Sequence, residues 1–548
     1  MCLDRRHGKA IVEYLMTTVL QHDRIDTQLS TPQHTRPPNI LLITSDQQHH
    51  SALGVVNPVL STPALDRLCA EGTRFDRAYC PNPVCTPSRA SIITGMYPSQ
   101  HGAWTIGVKL PEDVPTLGDH LAEVGYHTGL IGKAHFQPLA SQPGSVSIES
   151  QPTLRDLDFW RDFDSRFYGF DHIELARNHA DESHVGQHYA AWMLKQGFDD
   201  WANYFQSLPA LDARTSDEIP MATTPDPTRA RVWNLPQDLH YTTWTGERSV
   251  EFITGAAESD EPFFLWASFH DPHPPYVVSE PWASMYDPAD MVPGRISPGE
   301  HAKNPWHFGE TQKVNPDFGS WHEPFLAHGC SSHLHNEDDL RRDMAVYYGM
   351  ISFMDQQIGR ILSALDAQGL ADDTIVVFST DHGHFLGQHG LVAKGPFHYE
   401  DMLKLPFVVR WPGRVPAGVV NSALQSHVDL APTFLRAVGQ DVPGEMQGVD
   451  QLDAWTGAAT SARDHVVCEN RHNPVAPHLR TYVDERYKIT VYRGETFGEL
   501  FDLHTDPDEL DNLWDDPQST SLKSDLLLRL VQSSLVTEPT RMPRIAIA

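Results

Sequence analysis

Four short apolar runs, each ending abruptly in polar residues, constrain the fold of this chain more than any other feature. Asn39 to Thr44 ends in Ser45-Asp46-Gln47-Gln48, and Tyr126 to Ile131 ends in Gly132-Lys133-Ala134-His135. Phe263 to Phe269 ends in His270-Asp271-Pro272-His273, and Thr374 to Phe378 ends in Ser379-Thr380-Asp381-His382-Gly383-His384. Such runs show no apolar/polar alternation, so both of their faces must be covered. The segments between them carry helical spacing, clearest at Phe353, Met354, Ile358, Ile361, Leu362 and Leu365. The pattern predicts an α/β fold with a large mixed, mostly parallel sheet sandwiched by helices. Ligands of such sheets lie beyond the carboxyl ends of the strands. The four polar ends should therefore deliver Asp46, Gln47, Lys133, His135, His273, Asp381 and His382 to one rim.

A fifth stretch carries a reactive side chain. In Cys85-Thr86-Pro87-Ser88-Arg89, followed by Ala90-Ser91-Ile92-Ile93, Pro87 suits a first helical turn, where its missing N–H costs nothing. Cys85 is thus predicted at a helix N-terminus, whose backbone N–H groups and macrodipole favour an anion: a thiolate, an oxyanion or a bound oxyacid. Arg89, one turn on, is expected to reach back over Cys85. The plain alternative is a buried or merely reactive thiol. Asp46, Gln47 and Asp381 offer oxygens that suit a hard divalent cation, and His382 adds one nitrogen. Each aspartate alone reads equally as a helix cap or turn. Two acidic strand ends beside an anion-stabilising cysteine favour a metal, calcium first, with manganese the alternative because imidazole suits a softer ion.

Cys85-x-Pro87-Ser88-Arg89, with Ala90-Ser91 and Thr94-Gly95, resembles the signature of the type I sulfatases of the alkaline phosphatase superfamily, whose cysteine is oxidised to formylglycine. Asn39 to Gln48 resembles that family's first metal-binding strand, with Gln47 where many members have a second aspartate. Choline sulfatases and phosphonate monoester hydrolases share the Asp-Gln pair, which leaves the subfamily open. Gly132-Lys133-Ala134-His135 is similar to the family's Gly-Lys-x-His, and Asp271-Pro272-His273-Pro274 to the segment that supplies a second sulfate-binding histidine. Ser379 to Gly383, continued by Leu386-Gly387-x-His389-Gly390-Leu391 and Lys394-Gly395, resembles the second metal segment and the catalytic lysine. Pro406 to Gly413 and Asp429 to Thr433 match further family segments, and the resemblance spans residues 37–515.

The resemblance implies a sulfuric ester hydrolase that cleaves an aryl or carbohydrate sulfate monoester through a formylglycine hydrate, with a phosphonate monoester or phosphodiester hydrolase as the alternative. It implies that Asp46, Gln47, Cys85, Asp381 and His382 hold the metal, that Arg89 acidifies the nucleophile, and that Asp381 takes its proton. It places Lys133, His135, His273 and Lys394 around the sulfuryl oxygens, His273 with Lys394 as proton donors to the departing alkoxide, and His135 as the base for the second hydroxyl. The partners implied are a small-molecule or saccharide sulfate ester and a formylglycine-installing enzyme. His135 favours the sulfatase reading, because phosphonate hydrolases carry hydroxyl residues in that motif. A phosphatase or phosphoglycerate mutase relative would need Ser or Thr as nucleophile, and a non-enzymatic binder would not need every catalytic position filled.

Composition bounds the rest. Lys+Arg 41 against Asp+Glu 72 gives a formal net charge of −31, which excludes a nucleic-acid or anionic-membrane binder, and a sulfated polymer would need a local basic patch. Six cysteines in 548 residues are no disulfide framework and fit a reducing cytoplasm. The N-terminus lacks a convincing targeting segment, and no stretch is long enough to span a bilayer. Length predicts more than one core: an N-terminal arm over 1–36 with a short helix at 10–21, a catalytic domain over 37–440, and a C-terminal subdomain over 441–548. That subdomain should hold an antiparallel sheet at Val466 to Cys468, Thr481 to Val483, Tyr487 to Tyr492 and Glu499 to Leu503, then a helix over Leu522 to Leu535 with Leu526 to Leu528 and Leu530-Val531 as its apolar side. The arm reads either as disordered or as packed on another subunit, and the tail as an arm between subunits of a homo-oligomer.

Substrate choice is assigned to the loops at 140–250 and 277–340, which carry many aromatics and prolines, with His172, His179, His184, His301 and His307 among them. Trp104, Trp306, Trp321 and His322 read either as pocket walls or as core. His384, His389 and His398 read as supports behind the site residues or as structural, rather than catalytic. The segment His101 to Leu110 lacks the asparagine found near there in several sulfatases, with Thr105 or Lys109 as the replacement.

Overall fold

The computed structural model describes residues 36–177, 185–205, 231–313, 316–319, 336–471 and 477–538. Residues 1–35 of the expected arm, the tail beyond 538, His179, His184, Trp321 and His322 lie outside them. Pro38–Ala548 forms one compact unit.

Eight strands make the main sheet: β1 (Asn39–Ser45), β2 (Thr73–Phe75), β3 (His127–Gly132), β4 (His172–Leu175), β5 (Phe263–Ser268), β6 (Thr374–Thr380), β7 (Val408–Arg410) and β8 (Val419–Asn421). Their order is β8-β2-β7-β6-β1-β5-β3-β4. The central strands β6, β1, β5, β3 and β4 are all parallel, and β7 runs antiparallel to both β6 and β2. This is the predicted mixed, mostly parallel sheet. Successive residues of the apolar strands feed two different cores. Ile40, Leu42, Phe264, Trp266, Ile375 and Val377 pack with Ile92, Ile93, Leu117 and Phe434 on one face. Leu41, Ile43, Leu265, Ala267, Val376 and Phe378 pack with Leu65, Ile253, Met354, Ile358 and Ile361 on the other. A strand buried on both faces has no polar position to mark its pleat, which is why these runs read as continuous.

Register aligns the strand ends. Thr44 pairs with Ser268 and Ser379, and Gly132 also pairs with Ser268. The residues that follow each strand therefore emerge at one edge. Among the described residues no helix is long and apolar enough to cross a membrane.

The C-terminal sheet is antiparallel, with β9 (His465–Arg471), β10 (His478–Asp484), β11 (Tyr487–Tyr492) and β12 (Gly498–Asp502) side by side. The last helix spans Thr520–Val536, slightly longer than expected. Its predicted apolar side is narrower than the sequence suggested. Leu526 and Leu530 are buried, but Leu528 and Val531 are each 57% exposed. Beneath the sheet lies a buried ionic cluster in which Lys488 pairs with Glu509 and Glu400. Beside it, Glu499 accepts from the Tyr492 hydroxyl at 2.5 Å, while its other oxygen finds no partner. Burial raises the Glu499 carboxyl to about 7, against the Tyr492 hydrogen bond and the Lys488 charge.

A raised carboxyl pKa means that the folded state holds its proton longer than the unfolded chain, so this contribution is lost as pH rises through 7. Glu499→Gln removes the penalty. It should raise unfolding stability by about 3 kcal/mol at pH 8 and by less than about 1 kcal/mol at pH 5. Denaturant titrations at the two pH values check this, and an equal effect at both would refute the assignment.

Candidate active site

Cys85 opens a helix, Cys85–Thr94, that is buried at every position. Val84 before it is extended and supplies no side-chain cap, and Gly95 closes the helix in the left-handed region with φ 65°. The first-turn N–H groups are thus left without a side-chain cap beside residue 85, as expected for an anion site. Around the sulfur, Lys394 Nζ donates at 3.1 Å and His382 Nε2 stands at 3.2 Å. His382 Nδ1 donates to the Gly383 carbonyl at 3.0 Å, which fixes the ring with Nε2 toward residue 85. Burial pushes the Cys85 thiol up, but the Lys133 and Lys394 ammonium groups outweigh it and bring it below its ordinary value.

Two carboxylates complete the pocket. Asp381 Oδ1 accepts the backbone N–H of Gln47 at 2.9 Å and of His382 at 3.0 Å, while Oδ2 accepts Arg89 Nε at 2.9 Å. Asp46 is ion-paired with Lys133, and Arg89 Nη2 stands 3.5 Å from it. Burial opposes charge on Asp46, yet Lys133 and Arg89 hold its carboxyl well below the usual carboxylate range. Arg89 feels the charge of Cys85, and its hydrogen bonds go to the groups around it. Its guanidinium donates to Asp381, to Ser268 Oγ at 2.7 Å and to the Lys133 carbonyl at 3.0 Å. It acts on residue 85 through its charge and through the groups it ties together.

The turns after the strands are tight. Gly132 sits at φ 105°, and a Cβ there would stand 1.9 Å from the Ser268 carbonyl oxygen, so the Gly-Lys-x-His turn excludes any side chain at its first position. Gln47 and His135 take positive φ, 62° and 59°. Non-glycine residues in that region carry strain of about 1 kcal/mol or more, which the surrounding bonds must hold. His135 Nδ1 is buried without a partner. Burial, with the Arg177 and Lys133 charges, keeps this histidine neutral by holding its pKa well below the ordinary value. His273 is neutral for the same reason, with Lys394 the nearest charge. Its Nδ1 donates to the Pro274 carbonyl at 2.5 Å and its Nε2 accepts from Lys394 at 3.2 Å.

The donor set tests whether a divalent cation fits here. Ligand atoms of Asp46, Cys85, Asp381 and His382 all lie within 4.8 Å of one another, and all four residues are buried. Gln47 Oε1 is buried with no hydrogen-bond partner. A buried amide oxygen without a donor calls for a ligand. Two carboxylates, an amide oxygen and an imidazole suit a hard or borderline divalent ion.

The structure thus gathers Asp46, Gln47, Cys85, Arg89, Lys133, His273, Asp381, His382 and Lys394 through direct contacts, with His135 on the adjoining turn. Other expected residues lie elsewhere. Lys109 donates to the Val146 carbonyl at 2.5 Å and pairs with Glu112 at 2.9 Å, so it does not stand in for the missing asparagine. Trp104 lies under Arg471, 4.6 Å from ring centre to guanidinium carbon, and Trp306 is 42% exposed. His172 pairs with Glu174, His301 bonds the His389 carbonyl, and His307 is buried against aromatic rings. Sequence reasoning missed Ser268, Tyr276 and Tyr347, which hold Arg89, His384 and the Gln47 backbone. Nothing local marks them, since each acts across more than 100 residues of sequence.

Comparison with known proteins agrees with the geometry. The sulfatase family model matches residues 38–440, and the model of the C-terminal part of N-sulphoglucosamine sulphohydrolase matches residues 387–535. The chain is 29% identical to an arylsulfatase of Clostridium perfringens over 483 residues, covering 87% of this chain and 90% of that one. It is 29% identical to the multifunctional alkaline phosphatase superfamily protein PehA of Trinickia caryophylli over 525 residues, covering 89% and 93%. The solved phosphonate monoester hydrolase of Agrobacterium radiobacter superposes with a TM-score of 0.71 at 26% identity, covering 91% of this chain and 96% of that one. A match that runs through all four strand ends and the Cys85 helix leaves no part of the site outside the family: the chain belongs to the sulfatases of the alkaline phosphatase superfamily and is a sulfate ester hydrolase.

Proposed function

We propose that this chain hydrolyses an aryl or carbohydrate sulfate monoester through formylglycine formed from Cys85 by a formylglycine-installing enzyme. The observation that carries this reading is the position of residue 85 at a helix N-terminus between Lys394 and His382. Supporting it are the four strand-end motifs and the sulfatase relatives. Asp46, Gln47, Asp381, His382 and residue 85 would hold the cation, calcium with manganese as the alternative, which supplies positive charge that acidifies a hydroxyl and draws the sulfuryl oxygens. When formed, the aldehyde hydrate supplies two hydroxyls, one to attack sulfur and one whose ionisation expels sulfate. Cysteine has no second hydroxyl and could not complete that cycle.

The chain's own residues divide the remaining work. Asp381 takes the proton of the attacking hydroxyl, and Arg89 keeps it ionised until then. Lys133, Lys394 and His273 bind the sulfuryl oxygens and exclude competing charge arrangements. On the leaving-group side, burial opposes the charge of Lys394, and the Asp46 and Asp381 carboxylates favour it. Lys394 and the neutral His273 Nε2 are in contact, so the pair can pass a proton to the departing alkoxide oxygen. His135, neutral and with Nδ1 unpartnered, is the base for the second hydroxyl. A second reading, phosphonate monoester hydrolysis, is favoured by the Asp46-Gln47 pair and by the phosphonate monoester hydrolase among the structural neighbours. His135 in the Gly-Lys-x-His turn supports sulfate first. We keep a cytoplasmic location in the proposal, on the cysteine usage alone.

Mass spectrometry of the tryptic peptide from Ala78 to Arg89 should show a loss of about 18 Da relative to cysteine. An unshifted peptide from a host that installs formylglycine would overturn the mechanism. With the modified enzyme, kcat/KM for 4-nitrophenyl sulfate should exceed that for a phenyl phosphonate ester; the reverse order would select the second reading. Lys394→Ala should lower kcat about 100-fold or more for alkyl sulfates and distinctly less for 4-nitrophenyl sulfate, whose leaving group needs little protonation. Equal losses for both would remove Lys394 as proton donor.

A further inference from the structure

Gln47 is the one neutral oxygen donor among strand-end residues that resemble metal ligands, and an amide has only one useful end. Turned one way it offers a cation its oxygen. Turned by half a revolution it offers an N–H₂ group, which cannot ligate. A carboxylate has no such problem, because its two oxygens are equivalent.

The surroundings of Gln47 hold it on both sides. Its backbone N–H donates to Asp381 Oδ1 at 2.9 Å, and its carbonyl accepts from the Tyr347 hydroxyl at 3.1 Å. Its side-chain Nε2 stands 2.8 Å from His384 Nδ1. The other nitrogen of His384, Nε2, stands 2.6 Å from the Tyr276 hydroxyl. The ring is stacked on Tyr347, with centroids 4.9 Å apart and planes 12° apart, and edge-on to Tyr276. All four side chains are at most 2% exposed, so water does not reorganise them. With Gln47 Nε2 engaged by an imidazole lone pair, Oε1 is left as the buried atom without a partner.

We infer that His384, backed by Tyr276, is a positioning residue that fixes the rotation of the Gln47 amide and so presents its oxygen to the cation. The inference rests on the metal-dependent reading above and adds to it the reason a glutamine can serve where a second aspartate would need no help. Stacking on Tyr347 holds the ring with Nδ1 toward Gln47, and the tautomer with its proton on Nε2, donating to the Tyr276 oxygen, leaves Nδ1 to accept from Gln47 Nε2.

The test is a double-mutant cycle read as metal affinity. Full-length protein freed of metal is titrated with Mn²⁺ and with Ca²⁺ by calorimetry, as wild type, His384→Leu, His384→Asn, Tyr276→Phe, Gln47→Asp and the double variant Gln47→Asp/His384→Leu. Expected are a loss of about 10- to 100-fold for His384→Leu, a smaller loss for Tyr276→Phe, and recovery in His384→Asn, whose amide oxygen can accept from Gln47. In the Gln47→Asp background, removing His384 should change affinity by less than about threefold. Equal losses in both backgrounds, or no loss from His384→Leu, would overturn the proposal. A merely structural His384 would lower the melting temperature in chelator and leave the affinities alone, which also overturns it. Should His384→Leu fail to fold, Tyr276→Phe and His384→Asn decide. A wild-type chain that takes up neither ion overturns the metal reading itself, an outcome distinct from the others.

Discussion

The Asp381 carboxylate is the interaction on which the site depends. It accepts the N–H of Gln47 from the turn after β1, the N–H of its own neighbour His382, and Nε of Arg89 from the Cys85 helix. Three chain segments that are far apart in sequence thus converge on two oxygens. Arg89 then extends the convergence to the other strands through Ser268 Oγ at the end of β5 and the Lys133 carbonyl beyond β3. A single buried carboxylate would be costly alone, by several kcal/mol after relaxation. Here it is tolerable because three N–H groups donate to it, one of them from a guanidinium that faces it. The same bonds fix where residue 85 stands.

Charge sharpens the point. The chain carries a formal net charge of −31, a field that repels anionic esters at a distance. The pocket reverses it locally. Arg89, Lys133 and Lys394 are each no more than 5% exposed and surround Asp46, Asp381 and residue 85. In a water-poor interior these charges act over a few ångströms with little screening, whereas the acidic surface is screened within about 10 Å. Local cations therefore decide binding, and the acidic surface affects the rate of encounter.

Much of this was legible in the sequence because it lies at predictable places. Asp46, Lys133, His273 and Asp381 follow apolar strands, and a doubly covered parallel sheet brings such positions to one edge whatever the intervening loops do. The Cys85 helix announced itself through Pro87 and the apolar run behind it. What could not be read was direction and partnership. Arg89 was expected over Cys85 because the two are one helical turn apart, but its bonds to Asp381, Ser268 and the Lys133 carbonyl come from segments that helical spacing does not reveal. Lys109 looked available until Glu112, three residues on, was seen to hold it. Leu528 and Val531 looked like core because they are apolar, yet the helix presents only Leu526 and Leu530 inward. Pattern gives the element and its end, while side-chain partners depend on what the fold brings from elsewhere.

The C-terminal sheet contributes none of the site residues named above, yet it governs where several of them stand. Glu509 accepts the backbone N–H of Glu400 at 2.6 Å and pairs with Lys488, and Glu400 in turn accepts from the Tyr79 hydroxyl at 2.9 Å. The short segment after Glu400 bonds in two directions. The Leu403 carbonyl accepts Cys80 N–H at 2.9 Å, on the approach to residue 85. The Met402 and Asp401 carbonyls accept Gly383 and His384 N–H, each at 2.9 Å, on the loop that carries Asp381 and His382. One segment is thus pinned by the sheet on one side and bonds both the approach to residue 85 and the candidate metal loop on the other. A buried ion pair is weak as a source of stability, since apolar replacement of both partners often costs little. Its value lies in direction: Lys488 and Glu509 bond Glu400 at its side chain and its backbone N–H, and so hold the start of the segment that bonds Cys80, Gly383 and His384.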